Sequence, residues 1–380
     1  MFDYIYWVMF ENNQDISKTP LRLFEYVTFR AGGAAFSAFI MAIVFGQLTV
    51  KLLISLQFVA PNRLEGLVED DEETLNQKKN VPSMGGILIL GATILSVLIW
   101  ADLSNSLTLI FLGLLILLGM IGFADDYLKV VRKSKDGISG KAKLAGQIII
   151  AAVAVYLLYH TGDEDSRKIF QNLWIPFVKT PILMALPLVV IVGFGTLVVV
   201  GSSNAVNLSD GMDGLAVGCT VITAIAYAIF AYACGNSEHA SYLGVPFVHS
   251  AEVSVVAAAI AGAGLGFLWH NCYPASMFMG DTGSLALGGA IGLIAVLVKQ
   301  EFLLVIIGGI FVVEAGTVIL QVIYFKLTRK LTGEPKRLFK CAPIHHHFKM
   351  SGWTETQIVI RFWIIALVLA FIGIASLKVR

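Results

Sequence analysis

Ten apolar runs, each near the length of a bilayer-crossing helix, dominate this chain. They fall near residues 36–58, 82–101, 107–124, 144–160, 181–200, 214–234, 251–269, 283–298, 302–325 and 358–377. A hydrocarbon core about 30 Å thick needs roughly 20 apolar residues per helix. Lipid offers no partner to an unpaired backbone amide, so such runs span as helices. The expected fold is therefore an all-α, polytopic integral membrane protein of one domain, residues 1–380. Composition agrees, with 57% hydrophobic residues, 14% charged residues and a mean hydropathy of +0.79, outside the range of a soluble domain. A formal charge of +1 carries no footprint for nucleic acid. Cys219, Cys234, Cys272 and Cys341 lack the spacing of zinc ligands or of a disulfide scaffold and are read as packing residues. Met1 and Phe2 open no basic segment leading to a short apolar core, so no removable signal peptide is expected.

An even number of spans puts both termini on one side and the loops 59–81, 125–143, 201–213, 270–282 and 326–357 together on the other. Those loops hold sixteen of the 27 Lys and Arg residues, against nine on the opposite face. The positive-inside rule makes the loop-rich face cytoplasmic and puts both termini on the far side, which is periplasmic if the membrane is the bacterial inner membrane that the resemblance given below implies. Pro187, Gly193 and Gly195 suggest a bend in the fifth span, with plain close packing an equal alternative.

Four motifs lie on that face. Asp125 and Asp126 follow the third span and precede Lys129, Lys141 and Lys143; such a pair, met alone, is usually only a solvated helix end. The stretch Asn204 to Gly214 gathers Asn204, Asn207, Asp210 and Asp213 with Gly211 and Gly214. It supplies oxygen ligands for a hard cation or acceptors for a nucleotide, unless it is a plain Asx-rich turn. Asn271 to Ser284 sets Phe278, Gly280 and Asp281 at a helix start, where Asp281 is a ligand or a cap. Pro343 to Phe348 holds His345, His346 and His347 in a basic loop. Consecutive side chains diverge, so at most two of the three reach one ion, and phosphate contact is the better reading.

Parity joins the motifs at helix ends on one face. Two like charges about 6 Å apart repel by roughly 3 kcal/mol at an effective dielectric of 20, so gathering Asp125, Asp126, Asp210, Asp213 and Asp281 calls for cations. Magnesium and the neighbouring lysines suit that need. Phosphoryl transfer, in which positioning and charge neutralisation do most of the catalysis, is the matching chemistry. An intramembrane aspartyl protease or a secondary transporter would want its acids deep in the bilayer, not at helix ends.

Together with Pro82 to Gly86, these motifs resemble the polyprenyl-phosphate hexose-1-phosphate transferases over nearly the whole chain. The string Pro343 to Phe348 is similar to that of the family's muramoyl-pentapeptide branch. The resemblance implies transfer of phospho-N-acetylmuramoyl-pentapeptide from UDP-N-acetylmuramoyl-pentapeptide to undecaprenyl phosphate, with magnesium as cofactor, UMP as product and a homodimer among the assemblies it admits. It implies that Asp125, Asp126, Asp281 and Lys141 are catalytic, with Asp281 the metal ligand. It implies substrate contacts for Lys78, Ser83, Lys129, Asn207, Asp210, Asp213, Asn271, Phe278 and Gln321, Phe278 stacking on uracil, and for His345, His346 and His347 at the sugar diphosphate. A sister transferase using UDP-N-acetylglucosamine is the nearer rival, opposed mainly by the histidine string. Ser83, Ser209, Met212 and Lys349 depart from the family pattern, and Lys349 bears on the charge of the histidine loop. Glu314, an ionisable group within the ninth span, is either functional or a hydrogen-bonded helix contact. Gly262, Gly264 and Gly266 read as packing positions, not a dinucleotide loop.

Overall fold

The computed structural model describes residues 20–58, 81–132 and 137–379. It is built of helices: α1 (Val27–Ser55), α2 (Gly86–Trp100), α3 (Ser106–Val131), α4 (Gly140–Thr161), α5 (Glu164–Phe170), α6 (Leu188–Ser209), α7 (Leu215–Gly235), α8 (Ser237–Leu243), α9 (Val253–Asn271), α10 (Gly280–Leu297), α11 (Leu303–Ile307), α12 (Gly309–Thr332), α13 (Ile344–Lys349) and α14 (Glu355–Ala375). An isolated antiparallel β-bridge joins Leu173 and Leu183. Nine of the helices are long and apolar enough to cross a membrane, and α2 is a shorter apolar helix. Each of the ten apolar runs is helical, although the second, not the eighth, is the shortest.

Several expected boundaries move. The third span does not stop at residue 124 but runs on to Val131, so Asp125 and Asp126 lie on helix, not loop. The fifth begins at Leu188 with Pro187 as its N-cap and ends at Ser209. Pro187 therefore starts this helix and does not bend it, and Asn204 and Asn207 belong to its last turns. The reason is common to both: an apolar run marks the depth of the hydrocarbon, whereas backbone hydrogen bonding continues through polar residues beyond it. The ninth run breaks at Gly308 into α11 and α12.

Helix α10 is the axis of the bundle, buried at every position from Asp281 to Leu297. Small residues make this burial feasible, because without a hydrophobic drive between helices in lipid, close backbone approach supplies the packing. A Cβ on Gly288 would lie 2.6 Å from the Ser202 carbonyl oxygen of α6, and one on Gly289 2.2 Å from the Leu118 side chain of α3. Helices α1 and α9 meet in the same way, Gly262 against the carbonyl of Ala35 and Gly266 against that of Phe39, the packing role expected for that glycine run. Cys219 and Cys234 are buried as expected of packing residues, but Cys272 is exposed and Cys341 half-buried; none of the four forms a disulfide among the described residues.

Candidate active site

The C-terminal ends of α3, α6 and α9 and the N-terminal ends of α4, α7 and α10 converge at one end of the bundle. Asp125, Asp126 and Asp281 are each about 3% exposed, and one oxygen from each lies within 4.8 Å of the others. The pairing of α3 with α10 is set by Gly122, whose absent Cβ would sit 2.2 Å from the Asp281 carbonyl oxygen.

The two adjacent aspartates have different surroundings, because neighbours on a helix point about 100° apart. Asp126 Oδ2 accepts from the amide and the hydroxyl of Thr282, at 3.0 and 2.9 Å, and so satisfies the free amides that open α10. Asp125 Oδ1 accepts from the Ile138 amide at 2.7 Å, while Oδ2 pairs with Lys129, one helical turn on, and with Lys143 at 3.5 Å. Asp281 Oδ2 takes the same two ammonium groups, Lys143 at 2.6 Å and Lys129 at 2.9 Å. Its other oxygen accepts from Asn207 Nδ2 at 2.8 Å, an amide that also reaches Ser284 Oγ at 2.8 Å. Three carboxylates crossed by two ammonium groups carry a formal charge of −1. They present buried acceptor oxygens, the donor set of a hard divalent cation.

The backbone leading into α10 is held from two sides. The amides of Gly85 and Gly86 donate to the carbonyls of Phe278 and Met279, both at 2.8 Å, and the Phe278 amide donates to Pro82 at 2.9 Å. The stretch Pro82 to Gly86 thus pairs like a short strand with the approach to Asp281. Asp210 Oδ2 accepts the Gly280 amide at 3.1 Å. Gly280 has φ +74°, and a Cβ there would fall 2.7 Å from Asp126 Oδ2 and 3.1 Å from Ser83 Oγ. Glycine is required by both conformation and space, and Ser83 is placed beside the cluster.

Other expected site residues serve the scaffold in this structure. Asp213 Oδ2 accepts the Ala275 amide at 3.1 Å. Asn271 accepts the Gly214 amide at 3.0 Å and donates to the Met277 carbonyl at 2.8 Å. Both tie the turn between α6 and α7 to the loop before α10. Gln321 accepts the amides of Leu338 and Phe339 at 3.0 and 2.9 Å and donates to the Phe339 carbonyl at 3.2 Å, strapping the basic loop along α12. Phe278 is half-buried. Lys78 lies outside the described residues.

The three histidines part company, as consecutive side chains must. The His345 ring is wholly buried. The His347 ring accepts the Lys340 amide at 3.2 Å, and His346 is half-buried. Lys349 meets Glu355 at 3.6 Å, and Glu355 also accepts the Asp213 amide at 3.2 Å. The departure at 349 thus has a local acid to balance it.

Lys141 is exposed, and it is Lys143, two residues on, that enters the cluster. The missed signal was periodicity: Lys143 shares a helical face with the buried Gln147, Ala151, Ala154 and Leu158 of α4, whereas Lys141 points away from it.

A family model for glycosyl transferase family 4 matches residues 108–299, the stretch that carries all the aspartates described above. Over 366 residues, 95% of the chain, the sequence is 45% identical to a phospho-N-acetylmuramoyl-pentapeptide-transferase of Methylacidiphilum infernorum and covers 96% of it. It is 47% identical, over 97% of their lengths, to the proteins of that name from Neisseria meningitidis serogroups C and A. These relatives extend the match through the histidine loop, beyond the family model. With identity at this level over nearly its full length, the chain belongs to the phospho-N-acetylmuramoyl-pentapeptide transferases.

Proposed function

We propose that the protein transfers phospho-N-acetylmuramoyl-pentapeptide from its UDP carrier to undecaprenyl phosphate, yielding the lipid-linked product and UMP, at the cytoplasmic face of the bacterial inner membrane. One observation carries the reading: a buried triad of aspartates, crossed by two lysines, at a bundle end where a membrane-bound phosphate and a soluble nucleotide can meet. An oxygen of the lipid phosphate attacks the sugar-linked phosphorus, and the bond from that phosphorus to the bridging oxygen breaks, leaving the electron pair on UMP. A phosphate monoester has its second pKa near 6, so the nucleophile is largely dianionic at pH 7 and no strong base is needed.

Lys129 and Lys143, already shared between Asp125 and Asp281, supply positive charge where the transferring phosphoryl group spreads its negative charge. Asp126 fixes the start of α10 and Asn207 fixes the orientation of Asp281. A divalent ion, magnesium in our reading, would be held by Asp125, Asp126 and Asp281 and would neutralise diphosphate charge when bound. The exposed bases Lys336, Arg337 and Lys340 offer an electropositive approach for the diphosphate.

The test incubates purified protein with Mg2+, undecaprenyl phosphate and either UDP-N-acetylmuramoyl-pentapeptide or UDP-N-acetylglucosamine, and measures UMP release. Release only with the muramoyl nucleotide is expected. Release only with the N-acetylglucosamine nucleotide would transfer the assignment to the sister enzymes. A phosphorylated protein trapped without lipid acceptor would replace direct attack by a two-step route.

A further inference from the structure

Glu314 takes no part in the chemistry described above, yet it is wholly buried, and so is its partner, His345. It lies in the second turn of α12, just past the break at Gly308. The neighbouring Val312, Val313, Ile319, Leu320 and Ile323 are exposed along the same helix, which leaves Glu314 as an inward polar contact on a largely lipid-facing element. An ionisable group in that setting persists only with a partner. The basic loop after α12 folds back along the helix, strapped by Gln321, and carries α13 to it. There His345 Nδ1 lies 2.9 Å from Glu314 Oε2.

The other edge of the His345 ring identifies the purpose of the contact. Its Nε2 is buried with no hydrogen-bond partner among the described residues and lies against Gly211, where a Cβ would come within 2.4 Å of it. Gly211 follows Asp210, the C-cap of α6, whose carboxylate accepts the Gly280 amide at 3.1 Å. Gly280 directly precedes Asp281. A chain of contacts therefore runs from Glu314 through His345 and the 210–214 turn to the start of α10. With Nδ1 carrying the proton donated to Glu314, the ring is fixed in one tautomer and one orientation. It then fills the space that glycine leaves at 211.

We propose that Glu314 is a positioning residue for the transfer reaction: by holding His345, it braces the 210–214 turn that sets Gly280, and with it Asp281, in place. The proposal rests on the reading that Asp281 belongs to the reaction centre. It assigns His345 an internal role, distinct from contact with the sugar diphosphate.

Steady-state kinetics of the full-length protein in detergent, with UDP-N-acetylmuramoyl-pentapeptide and undecaprenyl phosphate, test it. Glu314→Gln keeps an acceptor for the Nδ1 proton and should stay within threefold of wild type. Glu314→Leu removes the acceptor and should lower kcat at least thirtyfold. The KM for the lipid phosphate, whose affinity owes much to its apolar chain, should stay within threefold. Gly211→Ala pushes on the same ring from the other side and should show the same split between kcat and KM. Combined with Glu314→Leu, it should cost no more than threefold beyond the worse single variant, because both break one contact chain. A Glu314→Leu enzyme turning over within threefold of wild type would overturn the proposal, as would a Glu314→Gln enzyme as impaired as Glu314→Leu. Should Glu314→Leu fail to fold, wild-type kcat in Gly211→Ala overturns it equally. Asp281→Asn in the same assay separates the two readings. If it retains turnover, the assignment of the centre fails; if it is silent while Glu314→Leu is active, only the positioning role fails.

Discussion

Replacing Lys143 with methionine asks whether the lysines and a bound cation share the same carboxylate oxygens. Lys143 Nζ lies 2.6 Å from Asp281 Oδ2 and 3.5 Å from Asp125 Oδ2, and its side chain is 16% exposed. Methionine retains a flexible apolar stem and removes the charge, which takes the five-group cluster from a formal −1 to −2. A divalent ion about 4 Å from that ammonium is repelled by roughly 8 kcal/mol at an effective dielectric of 20. Solvent and salt reach a partly exposed group and screen most of this. If about a sixth survives, some 1.4 kcal/mol remains, which is tenfold in affinity. Lys143→Met is therefore expected to bind Mg2+ at least tenfold more tightly. The assay is the Mg2+ concentration that gives half the rise in melting temperature of detergent-solubilised protein without substrate. The same variant should lose about a hundredfold in kcat, because a charge aimed at the transferring phosphoryl group is gone. Mg2+ affinity that is unchanged or weaker would refute the shared-site reasoning, whatever the turnover.

Asp281→Asn keeps the shape of the side chain but removes the charge that both lysines share; near-complete loss of UMP release from folded protein is expected, and wild-type turnover would contradict its role. Lys141→Ala, on the exposed face of α4, should change kcat by less than about threefold, well inside the hundredfold asked of Lys143; a larger loss would show that Lys141 reaches the substrate. Gln321→Ala removes three hydrogen bonds to the 338–339 backbone and should destabilise the protein by about 1–3 kcal/mol, seen as a lower melting temperature and faster proteolysis between residues 333 and 343. Gly122→Ala places a methyl 2.2 Å from the Asp281 carbonyl oxygen and should cost about 1–3 kcal/mol of stability or more, with loss of turnover in whatever folds; full activity would show that α3 and α10 separate without harm to the site.

The helical, membrane-spanning class was legible because the solvent imposes it: ten apolar runs admit few other solutions. The ends of the helices were not legible from hydropathy, because the scale reports depth in lipid, while α3 and α6 continue as helix through Asp125, Asp126, Asn204 and Asn207. That continuation changes the chemistry. A loop would leave the direction of Asp125 and Asp126 open, whereas helical spacing fixes one toward Lys129 and the other toward Thr282. The types of residue in the site were also visible in the sequence, but their partners within the fold were not. Asp213, Asn271 and Gln321 carry groups suited to a nucleotide, and in the structure those groups hold backbone amides and carbonyls from distant segments. Such pairings depend on which loops fold against one another, information that no local spacing contains. The histidine run shows the boundary well. Divergence of consecutive side chains follows from elementary geometry, but the burial of His345 against Glu314, 31 positions earlier in the chain, does not.

The sequence motifs most often read for their charges depend on their glycines. Gly86 would place a Cβ 2.1 Å from the Gly283 amide nitrogen, and Gly122 would place one 2.2 Å from the Asp281 carbonyl oxygen. Helices α2 and α3 therefore touch the first turn of α10 backbone to backbone. That approach brings the carboxylates on α3 and α10 within 4.8 Å of one another, close enough for Lys129 and Lys143 each to pair with both Asp125 and Asp281. Like charges repel more strongly as they close, by about 3.5 kcal/mol per pair at 4.8 Å and an effective dielectric of 20. The packing of uncharged glycines thus holds the carboxylates at a separation they would not adopt alone, and Lys129 and Lys143 offset the repulsion until a cation or a phosphoryl group arrives. A site made this way is preorganised by its helices, which is what electrostatic catalysis of phosphoryl transfer requires.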